Sequence, residues 1–117
     1  KNRKIQLQVR MLNKKINICI QINIDNEKTK GGIMIDDFES FSSSILQMSN
    51  LKLRGIMTIP SADKSAVISF SRMRDLYNKY DYLDTLSMGM SKDYIVAIEN
   101  DANLIRIGQQ IFGTRKL

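Results

Sequence analysis

The amino-acid sequence predicts an α/β fold in which about four parallel strands alternate with helices. Residues 16–24, INICIQINI, place isoleucine at every second position, which is the period of a β-strand. Residues 66–80 place apolar side chains at intervals of three or four, which puts them on one face of a helix. Segments of the two kinds follow one another over short connections, an order typical of parallel strand–helix–strand units.

The first predicted strand, residues 16–24, has an apolar face and a second face of polar or small side chains. The second face must meet water, or a polar interior in which a ligand lies. Cys19 lies inside this strand pattern, and we expect it to be a small core residue rather than a nucleophile. The polar segment DNEKTKGG, residues 25–32, then ends the strand with two glycines.

The remaining elements follow in order along the chain. Apolar residues from Phe38 to Met48 recur at helical spacing, with two aspartates near the positive end of the helix dipole. Pro60 ends the second strand because proline has no N–H to continue a ladder, and the three residues after it are candidate helix caps. Residues 4–12 fit either a strand or a helix, and a helix is favoured. The other predicted elements are strands at 51–60, 82–89 and 103–108, and helices at 66–80 and 92–99.

The length of the chain limits the architecture that these elements can form. A parallel sheet needs helices on both faces or closure into a barrel, and an eight-stranded (β/α)₈ barrel needs roughly 200 residues or more. Four strand–helix units in 117 residues amount to about half of such a barrel. No internal repeat or linker divides the sequence, so we expect residues 1–117 to form a single partial domain.

Composition and charge narrow the class of protein. With 43% hydrophobic residues the chain is able to bury a core. The net charge is +6, but the basic residues come in scattered pairs separated by acidic ones, which indicates a solvated surface. A small basic α/β module that binds nucleic acid or another polyanion is the alternative interpretation.

The sequence also bears on the compartment. The single cysteine is unable to form an internal disulfide, which favours a reducing compartment such as the cytoplasm. No apolar run approaches the roughly 20 residues of a membrane helix. The opening KNRK lacks the apolar stretch of a signal peptide. We therefore expect a cytoplasmic protein with no membrane partner.

Two glycine turns, SMGMSKD at 87–93 and RIGQQIFG at 106–113, follow the last two predicted strands. Ligands of parallel α/β proteins bind at the carboxyl ends of the strands, and both turns lie there. Barrels often bind phosphate with the loops of two adjacent strands. The two turns therefore predict a phosphate site between neighbouring strand ends.

The residue types in the turns agree with this prediction. Ser87, Gly89 and Ser91 supply hydroxyl groups and an unhindered backbone just before a helix, whose free N–H groups favour an anion. Gly108 lets the backbone approach a bound group, and Arg106 lies two residues earlier on the strand. Two ordinary tight turns and an ion pair of Arg106 would give the same pattern, so spacing alone leaves both interpretations open.

Four segments together carry a family resemblance: INIDNEKTKGGI, LRGIMTIP, DTLSMGMSKD and LIRIGQQIFGTR, in that order. With these segments the chain resembles the carboxyl-terminal half of the pyridoxal phosphate homeostasis proteins, over roughly residues 16–115. That family has an alanine-racemase-like barrel. The resemblance implies the carboxyl-terminal half of a (β/α)₈ TIM barrel, with pyridoxal 5'-phosphate (PLP) as the small-molecule cofactor. It implies a carrier or buffer of PLP, without an assigned catalytic activity and without a nucleic-acid partner.

The resemblance also assigns roles to individual residues. Ser91, Gly108 and Gln109 would contact the cofactor phosphate through hydroxyl or backbone N–H groups. Gln109 stands where the family commonly has threonine, so a hydroxyl contact is lost there. No catalytic and no metal-binding residue is implied. The six implied cofactor-binding residues are Ser87 and Met90, which would shape the loop, Arg106, which would lie towards the pyridine ring, and Ser91, Gly108 and Gln109.

The resemblance implies less about five further residues, and one family feature is missing. The family pattern NIxxExxKxG matches at Asn23, Glu27, Lys30 and Gly32, and Met57 would lie near the mouth of the pocket. The Schiff-base lysine of the family lies on the first barrel strand, before the segment HFIGxxQxNK, and neither is in this sequence. The resemblance therefore implies that the chain alone binds PLP weakly or not at all. A racemase would also need a second acid/base residue, for which the sequence has no motif.

Overall fold

The computed structural model describes residues 15–62 and 65–108. These residues confirm the α/β fold, with a four-stranded sheet in which every neighbouring pair of strands is parallel. The strands are β1 (Ile16–Gln21), β2 (Leu51–Met57), β3 (Thr85–Met90) and β4 (Leu104–Arg106). The helices are α1 (Phe38–Leu46), α2 (Ala66–Asn78) and α3 (Tyr94–Glu99), with a 3₁₀ turn at Ile35–Asp37 before α1.

The strand order is β1-β2-β3-β4, so each strand pairs with the next one along the chain. Crossovers between parallel strands are nearly always right-handed. Because the order always advances in one direction, right-handed crossovers place all the helices on the same face of the sheet. A strand order that advances in one direction differs from that of a doubly wound sheet, which reverses, and it is the order that (β/α)₈ barrels have.

Burial of the strand residues agrees with helices on one face only. Ile20, Ile56 and Leu86 pair in register across three strands, and each is at most 4% exposed. Their neighbours on the opposite face include Cys19, which is exposed. The core lies between the sheet and the helices, which contribute buried Phe38, Ile45, Phe70, Met73 and Leu76.

A bulge in β2 keeps its apolar residues on the helix face. Leu53 pairs with Ile18 and Gly55 pairs with Cys19, so Arg54 is an extra residue in β2. Leu53 and Ile56 are three residues apart, so regular alternation without the bulge would turn Ile56 away from the helices. Arg54 also forms an ion pair with Asp84, at 3.1 Å between Nη2 and Oδ2.

Several element boundaries differ from the prediction. The first strand ends at Gln21, and Ile22 forms only an isolated bridge with Ile33. The reason is that the N–H of Asn23 donates to the Ile33 carbonyl. Beyond Gln21 the chain therefore pairs with the loop that follows β1. The second strand ends at Met57 rather than at Pro60, and the third begins at Thr85 rather than at 82.

The ends of the helices also differ. Ser65 occupies the N-cap position of α2 without a side-chain capping bond, whereas Ser61 to Asp63 were the predicted caps. Asp63 and the predicted helix at 4–12 lie outside the described residues. Within the part of the chain that the structure describes, no helix is both long enough and apolar enough to cross a bilayer.

The prediction that Cys19 is a core residue is wrong. The isoleucines of β1 occupy the helix face, which leaves Cys19 exposed on the opposite face. Partial shielding of the thiol raises the pKa of Cys19 above its ordinary value of 9.0. The Asp84 carboxylate raises that pKa further, and Arg54 lowers it in part.

We expect Cys19 to react with iodoacetamide in the folded chain, but only at higher pH than in the urea-unfolded chain. The thiolate is the reactive form, and shielding and Asp84 disfavour it. The measurement is the rate of alkylation from neutral to alkaline pH in both states. Asp84→Asn should move the native profile towards lower pH. A native thiol that reacts only after unfolding would contradict the exposed position, and a native profile at lower pH would contradict the raised pKa.

Candidate functional site

A hollow of about 580 Å³ lies at the carboxyl ends of β2, β3 and β4. This volume is in the range of small-molecule pockets, which is roughly 300–1,000 Å³. The loop after β2 forms one wall, and the turns after β3 and β4 form the other. The first wall consists of Ile59, Pro60, Ser61 and Ala62 with Ala66 of α2, and the second consists of Met90, Ser91, Lys92, Asp93, Arg106 and Gly108.

The predicted cofactor-binding residues fall into three groups in the structure. Ser87 does not line the hollow: it is buried in β3, and its carbonyl accepts the Thr58 N–H at 3.1 Å. Gln109 lies outside the described residues. Met57, predicted near the pocket mouth, is partly buried on the sheet and does not line the hollow either. The residues that do line it together are Met90, Ser91, Arg106 and Gly108.

The turn after β3 has a backbone that requires glycine and a carboxylate that closes it. Gly89 has a φ of +105°, and a Cβ there would lie 2.7 Å from the Cβ of Ala97. The Asp93 Oδ1 atom accepts the Met90 N–H at 2.8 Å, and the Asp93 N–H donates to the Met90 carbonyl at 3.1 Å. These two bonds fix the turn from Met90 to Asp93, which includes Ser91.

Arg106 lies at the end of β4, beside Met90 in the strand register. Its Nη2 donates to the Thr58 carbonyl at 3.3 Å. Its Nε is buried and has no hydrogen-bond partner among the described residues. An unpaired buried donor is costly, so this N–H calls for an acceptor that the described part of the chain does not supply.

The charges around the hollow suit an anionic ligand on one side. Lys92 and Arg106 bring positive charge to the wall formed by the turns, whereas the Asp93 carboxylate is engaged by the backbone of its own turn. The opposite wall is mainly apolar. In residues 15–62 and 65–108, no three His, Cys, Asp or Glu side chains cluster closely enough to hold a metal ion. The arrangement fits a small molecule that is anionic at one end and apolar at the other.

The loop after β1 holds the loop after β2, a role that the sequence does not predict. The Asp25 Oδ2 atom accepts the Ser61 N–H at 2.6 Å, and the Glu27 Oε1 atom accepts the Ser61 hydroxyl at 2.6 Å. The Lys30 ammonium donates to the Pro60 carbonyl at 2.9 Å. These three bonds brace the first wall of the hollow from outside. For Asp25, the one signal in the sequence is an acidic residue directly after an apolar strand.

The NIxxExxKxG pattern has a structural explanation in the same loop. The Asn23 side chain donates to the Glu27 carbonyl at 2.6 Å and accepts the Glu27 N–H at 3.0 Å, which folds the loop back on itself. Gly32 has a φ of +106°, and a Cβ there would lie 2.9 Å from the Gln21 carbonyl oxygen. Glu27 and Lys30 then point to the loop after β2. The pattern is therefore a brace that shapes the hollow without lining it.

Comparison with known proteins gives the family. The alanine racemase, N-terminal domain family matches residues 2–116. The chain therefore belongs to this family of parallel α/β proteins.

Individual relatives agree with the family. The pyridoxal phosphate homeostasis protein of Pseudomonas aeruginosa is 40% identical over 104 residues, which cover 86% of this chain and 45% of that protein. The structure of PipY from Synechococcus elongatus without PLP superposes with a TM-score of 0.84 at 25% identity, covering 94% of this chain and 55% of PipY. The structure of PipY with PLP bound superposes with a TM-score of 0.82 at 23% identity, covering 96% of this chain and 56% of PipY. The chain spans about half the length of the curated relative and of PipY.

The bond between Asp93 and the Met90 N–H yields a test of the turn. In Asp93→Ala the Met90 amide should exchange with solvent about fivefold faster, because an exposed hydrogen bond contributes ~1 kcal/mol. Asp93→Asn keeps an oxygen acceptor, so its Met90 exchange rate should lie between those of the wild type and of Asp93→Ala. Glu99→Ala, at the exposed end of α3, is the matched control and should leave Met90 unchanged. Equal exchange in all four proteins would show that the carboxylate does not close the turn.

Proposed function

We propose that this chain binds pyridoxal 5'-phosphate in the hollow at the ends of β2, β3 and β4, as part of a cytoplasmic carrier or buffer of this cofactor. The curated relative named above is a pyridoxal phosphate homeostasis protein, and PipY has been solved with PLP bound. The size of the hollow and its division into a charged and an apolar wall suit a phosphate joined to a flat ring.

The observation that carries this proposal is the meeting of Ser91 and Gly108 in one hollow, next to Arg106. Ser91 offers a hydroxyl donor, and the two turns offer backbone N–H groups, which are the usual partners of a bound phosphate. The buried Nε of Arg106, which has no partner among the described residues, would give a further donor to an acceptor on the cofactor. Lys92 adds positive charge at the same wall.

We infer further that these 117 residues are the carboxyl-terminal half of an eight-stranded barrel. Three facts support half of a barrel: the strands are wound in one direction, the described face opposite the helices includes exposed Cys19, and the chain spans about half of its relatives. The choice of the carboxyl-terminal half rests on the resemblance of the four sequence segments. The lysine that would bond to the cofactor would then lie in the other half. PLP, when bound, supplies an aldehyde that reacts with amines. The residues of this chain would bind and orient its phosphate, which is the work of a carrier.

The test of this proposal is a chemical-shift titration of the chain with PLP and with pyridoxal, which lacks the phosphate. We expect weak PLP binding, with a Kd of about 1 mM, which corresponds to a free energy of roughly −4 kcal/mol. The amides of Ser91 and Gly108 should shift most. Pyridoxal should bind at least about tenfold more weakly, because a hydrogen bond to a charged group such as the phosphate contributes roughly 1.5–3 kcal/mol.

A matched pair of variants sharpens the titration. Ser91→Ala should weaken PLP binding about tenfold through the loss of one hydroxyl donor to the charged phosphate, whereas Ser44→Ala on the exposed face of α1 should leave it unchanged. Salt dependence distinguishes PLP binding from the polyanion alternative, because binding of an oligonucleotide would weaken steeply as salt is added. The proposal would be wrong if PLP and pyridoxal bound equally well, or if neither Ser91 nor Gly108 responded to PLP.

A further inference from the structure

The wall of the hollow that faces Ser91 and Gly108 is apolar. Ile59, Pro60 and Ala62 come from the loop after β2, and Ala66 comes from the first turn of α2. The charged and hydroxyl groups suited to a phosphate lie on the other wall. An apolar wall of this kind suits the face of an aromatic ring, which gains from the exclusion of water.

Ser61 is the polar residue within this wall, and both of its donors point to carboxylates. Its N–H donates to Asp25 and its hydroxyl donates to Glu27, each at 2.6 Å, and the residue is 4% exposed. Ser61 therefore anchors the wall to the loop after β1. It does not offer these donors to a molecule in the hollow.

Asp25 anchors both parts of the wall at once. Its Oδ2 atom holds the loop after β2 through Ser61, and its Oδ1 atom accepts the hydroxyl of Ser69 at 2.7 Å. Ser69 is 2% exposed and lies on α2, one turn after Ala66. Hydrogen bonds to an ionised acceptor are about twice as strong as neutral ones. A single carboxylate outside the hollow thus fixes the loop and the helix that form its apolar side.

We propose that Asp25 is a positioning residue for the ring of the bound cofactor, acting through Ser61 and Ser69 without touching the ligand. This inference rests on the proposed function, since it takes the phosphate to lie at Ser91 and Gly108 and the ring to lie against the apolar wall. It separates two contributions to affinity. The ring contribution depends on Asp25, and the phosphate contribution does not.

The test compares PLP with inorganic phosphate in the wild-type chain and in Asp25→Asn, with chemical-shift titrations as the readout. The amide of Asn has one acceptor oxygen in place of two, so one of the two anchoring bonds is lost. We expect the Kd of PLP to rise at least about threefold and the Kd of inorganic phosphate to stay within about a factor of two. General loosening of the fold would weaken both ligands together. The amide of Ser61 should also exchange faster with solvent when no ligand is present.

Control and backup variants keep the outcome clear. Asp81→Asn, an exposed substitution before β3 at the far end of the sheet, should change neither affinity. Should Asp25→Asn not fold, Glu27→Ala removes the bond to the Ser61 hydroxyl from a partly exposed position and should give the same selective loss of PLP affinity.

The outcomes that count against the inference are distinct from those that count against the function. PLP affinity that is unchanged in the folded variant, or reduced in parallel with phosphate affinity, overturns the role of Asp25 and leaves the proposed function intact. A wild-type chain that does not bind PLP at Ser91 and Gly108 overturns both.

Discussion

Thr58 links the carboxyl ends of all four strands, and the hollow depends on this link. It follows the last residue of β2 and is fully buried. Its hydroxyl donates to the Ile22 carbonyl after β1 at 2.7 Å, and its N–H donates to the Ser87 carbonyl in β3. Its own carbonyl accepts Nη2 of Arg106 at the end of β4. Because the strands are parallel and follow one another in order, all four ends lie at one edge, where one residue can reach them.

The loops at this edge of the sheet have different roles in the binding site. The turns after β3 and β4 provide the polar wall, which includes Ser91 and Gly108, and the loop after β2 provides the apolar wall. The loop after β1 does not line the hollow, but its carboxylates hold the apolar wall from behind. A site of this kind needs both a set of ligand contacts and a set of supports that keep the contacts in place. Asp25 belongs to the second set, because it holds the apolar wall through hydrogen bonds but does not line the hollow.

The sequence predicts those features that depend on local chemistry and misses those that depend on distant partners. The alternation of isoleucine predicts β1, and the glycines predict the turns after β3 and β4. Both signals lie within a short segment of the chain, so they are visible in the sequence. The exposure of Cys19 depends on which face the helices cover, and the bulge at Arg54 depends on pairing between two strands. The burial of Ser87 depends on its place in β3, which the local sequence does not show, and its role in shaping the loop stays a prediction. Asp25 finds its partners 36 and 44 positions away, so no local pattern reveals its role.

A crystal structure of the chain with PLP at saturating concentration tests most directly whether the turns after β3 and β4 bind the phosphate. We expect the phosphate between the two turns, with its oxygens within hydrogen-bond distance of the Ser91 hydroxyl and of the backbone N–H of Gly108. The ring should lie on the side of Pro60 and Ala62. A phosphate bound at any other place on the molecule, or at the loop after β2 with the turns empty, would contradict this expectation.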